Sequence, residues 1–138
     1  MKETRSVLVV DDDTAMRDMV VSLLQEEGLD AEAAIGADDA LARLRAGFIR
    51  VVLSDIEMPG KSGFDFLGEA RRVAPNVPVI LMTSFGGVAI ADRASREGAF
   101  ACLSKPFSRE DLLDVVTRAL LRGAGASRSP EALRMQRG

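Results

Sequence analysis

Five short apolar runs, each followed by a stretch of helical periodicity, constrain this chain more than any other feature. They occupy residues 7–10, 30–35, 50–54, 78–82 and 100–103. Successive runs start roughly 20 to 28 residues apart, which suits a strand, a crossover helix and two short loops. Runs without strict polar alternation suit strands covered on both faces, so the pattern predicts a parallel sheet between two layers of helices. The second run is the weakest, since it holds three alanines of poor strand propensity.

The intervening segments carry their own start and stop signals. Met16, Met19, Val20, Leu23 and Leu24 form an apolar stripe that stops at Gly28, with Asp13 or Thr14 placed to cap it. Ala40, Leu41 and Leu44 share one face of a short helix within 36–48, closed by Gly47. Phe64, Leu67 and Ala70 begin a third helix that fades before Pro75, and residues 88–97 form a polar, alanine-rich fourth stopped by Gly98. The last helix starts at Ser108, with Asp111 three residues on in a capping-box pattern, and turns Leu112, Val115, Val116, Ala119 and Leu120 inward.

At 138 residues and 47% hydrophobic content the chain supports one domain with one substantial core. It has no His and a single Cys, which excludes a Cys/His zinc site, an internal disulfide and any His-dependent triad. No apolar stretch is long enough to span a bilayer, so a soluble cytoplasmic protein is expected. The net charge of −3 conceals an asymmetry: five Arg and one Glu give residues 118–138 a charge of +4, leaving −7 on residues 1–117. An acidic body argues against direct nucleic-acid binding, which needs a clustered basic face. Residues 1–122 are read as the folded domain, and the Gly/Ala/Ser/Pro-containing stretch 123–138 as a flexible basic tail or linker.

In parallel sheets of this kind ligands bind beyond the carboxyl ends of the strands, where the strand order reverses. The polar residues that interrupt the apolar pattern fall there: Asp11 and Asp12 after the first run, Asp55 after the third, Thr83 and Ser84 after the fourth, Lys105 after the fifth. Carboxylates brought together repel, and at least one pKa rises unless cations offset the charge. Mg²⁺ suits such a site, because it takes one or two carboxylates and keeps positions for water and phosphate. With a lysine and a hydroxyl beside it, an aspartate is a competent nucleophile toward phosphorus. Asp13 is expected to cap the first helix and not to bind metal, and Met16, Met19 and Met82 to fill the core.

Taken together, Asp11-Asp12, Asp55 with Met58-Pro59 and Gly63, Thr83-Ser84, and Lys105-Pro106-Phe107 resemble the receiver domain of two-component response regulators. The resemblance runs from about residue 6 to 121. It implies a flavodoxin-like α/β sandwich with strand order 2-1-3-4-5. It further implies that Asp55 is the phosphoacceptor, charged by a sensor histidine kinase or a small phosphodonor. Asp11, Asp12 and Asp55, with the backbone carbonyl of Glu57, would hold Mg²⁺ or, in its place, Mn²⁺. Lys105 would pair with Asp55 and then with the phosphoryl group, across a cis bond to Pro106, and Thr83 would be the switch hydroxyl, with small Ser84 keeping the approach open. The implied signalling or homodimer surface is the face made by the fourth helix, fifth strand and last helix. Gly98-Ala99-Phe100, with Lys105-Pro106-Phe107 and the last helix, is similar to receivers of nitrogen-regulation-type activators, which implies the front end of a longer regulator; a stand-alone receiver is equally compatible with 138 residues.

One departure bears on mechanism. The family usually places Tyr or Phe three residues before the lysine, and here that position is Cys102, expected to be an inert core residue. Either Phe100 substitutes from elsewhere or the signal passes through the fourth helix and its Gly86-Gly87 loop. Phe85, two residues past Thr83, lies where the family controls the hydrolytic water, and its bulk is expected to slow phosphoryl loss. A rival reading, a Mg²⁺-dependent phosphatase with an aspartyl nucleophile, typically uses Asp-x-Asp where this chain has Asp55-Ile56-Glu57, and no residues are spare for a cap. A third, a phosphorylation-independent interaction module, is disfavoured by the intact set Asp11, Asp12, Asp55, Thr83 and Lys105.

Overall fold

The computed structural model describes residues 6–124. Strands and helices alternate as β1 (Ser6–Val10), α1 (Thr14–Glu26), β2 (Asp30–Ala34), α2 (Ala37–Ala46), β3 (Ile49–Asp55), α3 (Gly63–Val73), β4 (Val79–Thr83), α4 (Val88–Arg96), β5 (Ala101–Ser104) and α5 (Arg109–Ala124). The five strands form one parallel sheet in the order β2-β1-β3-β4-β5, as expected. Residues 125–138, most of the expected basic tail, lie outside the described residues.

Side-chain alternation along the strands divides the core in two. Val7, Val9, Val51, Leu53, Ile80 and Met82 pack with α1 and α5, through Val20, Leu24, Leu112, Val115, Val116 and Ala119. Leu8, Val10, Val52, Val79 and Leu81 face α2, α3 and α4. Both faces are therefore covered, which explains why the strands read as continuous apolar runs. Among the described residues no helix is long and apolar enough to cross a membrane.

Local chemistry sets the helix ends. Asp13 accepts a hydrogen bond from Met16 N at 3.2 Å and caps α1, and Ser108 does the same for Asp111 N at 2.9 Å before α5. Gly47 ends α2 in the left-handed region, with φ at 93°. Two readings of the apolar pattern need correction. Met19 is 45% exposed rather than core filler, because it sits about 100° around α1 from Val20, at the margin of the buried stripe. Phe66, not singled out from the sequence, is fully buried; α3 hides a wider arc than its three-residue repeat suggested.

The strand order reverses between β1 and β3. The chain leaves β1 for β2 on one side, while β3 and β4 build outward on the other. Val10 pairs with Ser54 in register, so the residues that follow, Asp11 and Asp55, emerge side by side at the carboxyl end of the sheet.

Candidate functional site

Asp11 and Asp55 are both buried, at 0% and 4% exposure, and each is held by several elements. Asp11 accepts from Asp13 N at 2.9 Å through Oδ1 and from Lys105 Nζ at 3.1 Å through Oδ2, while Arg17 donates to its backbone carbonyl at 3.1 Å. Asp55 accepts from the same Lys105 Nζ at 3.2 Å. Behind it, Ile56 N donates to Met82 O at 2.8 Å and Gly63 N to Ile56 O at 2.8 Å. Gly63 is required at that spot: a Cβ there would lie 2.5 Å from the Asp55 carbonyl oxygen. The start of α3 thus approaches the Asp55 backbone as closely as only glycine permits.

Lys105 reaches the acids from beyond β5. Its backbone N donates to Thr83 O at 2.8 Å, which continues the β4–β5 ladder, and the Lys105–Pro106 peptide is cis, as the resemblance implied. Burial works against the charged ammonium, but the hydrogen bonds and charges of Asp11 and Asp55 outweigh it and raise the Lys105 pKa. For Asp55 the balance falls the other way. Burial, then repulsion from Asp11, raise its pKa to about 6, more than the attraction of Lys105 lowers it. A single ammonium does not neutralise this cluster.

Carboxylate oxygens of Asp11, Asp12 and Asp55 lie within 4.8 Å of one another. Asp12 is exposed, and among the described residues neither its oxygens nor Asp55 Oδ2 accept a hydrogen bond. An all-oxygen donor set with uncommitted lone pairs and surplus negative charge fits a hard divalent cation.

In the third part of the site the expected Thr83 meets an unforeseen partner, the Glu57 carboxylate. Thr83 Oγ1, 1% exposed as a residue, donates to Glu57 Oε2 at 2.5 Å and accepts from Phe85 N at 3.0 Å. Glu57 Oε1 also accepts from Ser84 N at 3.3 Å. The resemblance implies only a backbone-carbonyl role for Glu57; its carboxylate also braces the β4–α4 loop. The available signal was an acid two residues past Asp55, on a loop that the sheet order sets beside the end of β4. Arg17, whose guanidinium holds the Asp11 carbonyl, was likewise missed.

Cys102 is half-buried, packs toward α2, α3 and α4, and has its thiol pKa pushed up by burial and by Glu57. Phe100 packs on the opposite face, with α1 and α5, and Arg122 lies 5.5 Å over its ring. Two residues apart at the margin of β5, they belong to different layers, so Phe100 does not take the place of the absent aromatic. Phe85 is 71% exposed, in keeping with a side chain that stands at the mouth of the site.

Comparison with known proteins follows the same lines. Residues 7–117 match the family model described as the response regulator receiver domain. The response regulator protein FleR of Pseudomonas aeruginosa is 41% identical over 115 residues, covering 83% of this chain and 24% of FleR. A CheY-like response regulator receiver domain protein from Methanospirillum hungatei superposes with a TM-score of 0.84 at 29% identity, covering 91% of this chain and all of that one. The beryllofluoride-activated NtrC4 receiver domain dimer gives a TM-score of 0.80 at 31% identity, covering 86% of this chain and 98% of that one.

Proposed function

Because the chain belongs to the response regulator receiver family, we propose that Asp55 is its phosphoacceptor, and that the phosphoryl group it receives is a signal rather than an intermediate of turnover. One observation carries this reading: two buried carboxylates from β1 and β3 share a single lysine where the strand order reverses.

In this reading an Asp55 oxygen attacks phosphorus, the bond to the donor breaks, and an aspartyl phosphate forms. The donor is the phosphohistidine of a sensor kinase, or a small acyl phosphate. Lys105 begins on Asp11 and Asp55 and offsets negative charge on the transferred group. Asp11, Asp12 and Asp55, with the Glu57 carbonyl, would hold Mg²⁺, or Mn²⁺ in its place. Held there, such an ion would offset the charge of the acidic cluster and of the incoming phosphoryl group. Thr83 supplies the hydroxyl that hydrogen-bonds the new group, and the β4–α4 loop follows it.

The α4-β5-α5 face is the surface we assign to a partner or to a second copy. β5 is an edge strand without a fully buried residue, and α4 buries only Ala94. The dimeric NtrC4 receiver gives the second copy precedent. The aligned stretch spans about a quarter of FleR; we read residues 1–122 as the receiver and 123–138 as a basic tail or linker, in a protein that acts in the cytoplasm.

The decisive experiment incubates the protein with an acyl phosphate, with and without Mg²⁺, and follows intact mass for wild type and Asp55→Asn. Wild type is expected to gain one phosphoryl group only with Mg²⁺, and Asp55→Asn none. A Mg²⁺-independent adduct, or one that persists in Asp55→Asn, would overturn the assignment.

A further inference from the structure

The hydroxyl of Thr83 has one proton to donate, and Glu57 holds it. Its oxygen is also engaged, by Phe85 N. Resting on the reading of Thr83 as the switch hydroxyl, we propose that the Glu57 carboxylate is the latch that keeps this receiver in its unphosphorylated arrangement, and that phosphorylation works by breaking the Glu57–Thr83 bond.

Three features support a latch over an incidental contact. The first is competition: a phosphoryl oxygen on Asp55 only accepts hydrogen bonds, so Thr83 can serve it only by taking its proton from Glu57. The second is reach. One Glu57 oxygen holds the Thr83 side chain and the other the Ser84 backbone N–H at 3.3 Å, so release frees side chain and main chain together. Immediately beyond lie Gly86 and Gly87, the latter at φ of 138°, and then α4, which is anchored by Ala94 alone among its fully buried residues. The third is charge. Glu57 acts on the Asp55 carboxyl by repulsion, and an aspartyl phosphate adds about 1.5 to 2 negative charges there. Phosphorylation therefore removes the hydrogen bond and repels the carboxylate that made it.

Glu57 is a positioning residue in this account: it acts through Thr83 and does not touch the transferred group. A charge-assisted hydrogen bond of this kind shifts a two-state equilibrium by on the order of tenfold. Without the latch the loop populates the released arrangement before any phosphoryl group arrives, and a phosphoryl mimic binds more tightly.

The test uses beryllofluoride with Mg²⁺ as the mimic and backbone amide NMR of residues 83–88 as the readout. Wild type, Glu57→Gln, Glu57→Ala, Thr83→Val and the Glu57→Ala/Thr83→Val double variant are compared, free and titrated. The latch predicts that in the free protein the Ser84 and Phe85 resonances of Glu57→Ala move toward their beryllofluoride-bound positions. It also predicts roughly tenfold tighter mimic binding by Glu57→Ala, a smaller gain for Glu57→Gln, and a markedly smaller gain from Glu57→Ala once Thr83 is Val, the remainder being relief of repulsion and of the Ser84 contact. Repulsion alone would leave the gain intact in the Thr83→Val background, and that result overturns the latch. So does a free-state spectrum that Glu57→Ala does not displace. Wild type that binds beryllofluoride while Glu57→Ala gains nothing sinks the latch and spares the switch reading. Wild type that fails to bind overturns both.

Discussion

On the β1–β3 side of the site every strand residue but the exposed Arg50 is buried, whereas on the far side β5 has no fully buried residue and α4 buries only Ala94. The first region holds Asp11 and Asp55, the charges that the proposed phosphoacceptor site keeps in place; the second borders Thr83, the hydroxyl that the proposed switch moves. A buried carboxylate pair is tolerable only if its partners are fixed, because an uncompensated buried charge costs several kcal/mol. A switching element, by contrast, has to come from the low-stability end of the structure. The difference in packing matches the opposite tasks that the proposed switch gives the two halves.

The largest test of that contrast is in the core. Leu53→Ala, at a fully buried position of β3, is expected to cost about 2–5 kcal/mol in urea unfolding, and Ile90→Ala, half-buried on α4, about 1 kcal/mol. Equal losses would break the comparison. Native-state hydrogen exchange should sharpen it, with α4 amides protected on the order of a hundredfold less than those of β1 and β3.

Next in size is the pH dependence set by Asp55. Its pKa in the fold is raised from 3.8 to about 6, so the fold disfavours its charged form. The neutral acid is accommodated fully below the unfolded value, and that stability is lost as pH rises through 6. In metal-free protein Asp55→Asn should therefore stabilise by about 1–2 kcal/mol at pH 7 and by almost nothing at pH 3.5. Thermal melts at the two pH values check this, and equal effects at both would contradict it.

The smallest effect concerns the exposed rim. Phe85→Ala is expected to speed loss of the phosphoryl group a few-fold, by opening the mouth of the site to water, with little change in stability because the side chain is already exposed. Dephosphorylation followed by intact mass measures it, and an unchanged rate would remove Phe85 from the account.

Much of this molecule is readable in one dimension. Strand and helix order follow from local periodicity, and the parallel sheet from apolar runs spaced for crossover helices. Ends such as Asp13 and Ser108 follow from side chains bonding their own backbone neighbours. The position of Asp11, Asp55, Thr83 and Lys105 at carboxyl ends comes from the same local reading, since each lies within two residues of the end of an apolar run. Met19 escaped it because a spacing rule names a helix face but does not fix how wide an arc the sheet covers.

The sequence by itself thus determined that Asp11, Asp12, Asp55, Thr83 and Lys105 gather at one end of the sheet; that Arg17 and the Glu57 carboxylate join them, and which atoms meet there, was decided by the tertiary structure. Lys105 bridges to Asp11 across 94 residues and to Asp55 across 50, and Thr83 finds Glu57 across 26. Such pairings depend on strand register and on loop paths that no local pattern encodes. The same holds at β5, where alternation turns Ala101 and Leu103 to one layer and Cys102 to the other, while Phe100, just before the strand, packs in the layer opposite Cys102. A residue's chemistry is carried by its type, but its partner is set by the packing of the whole sheet.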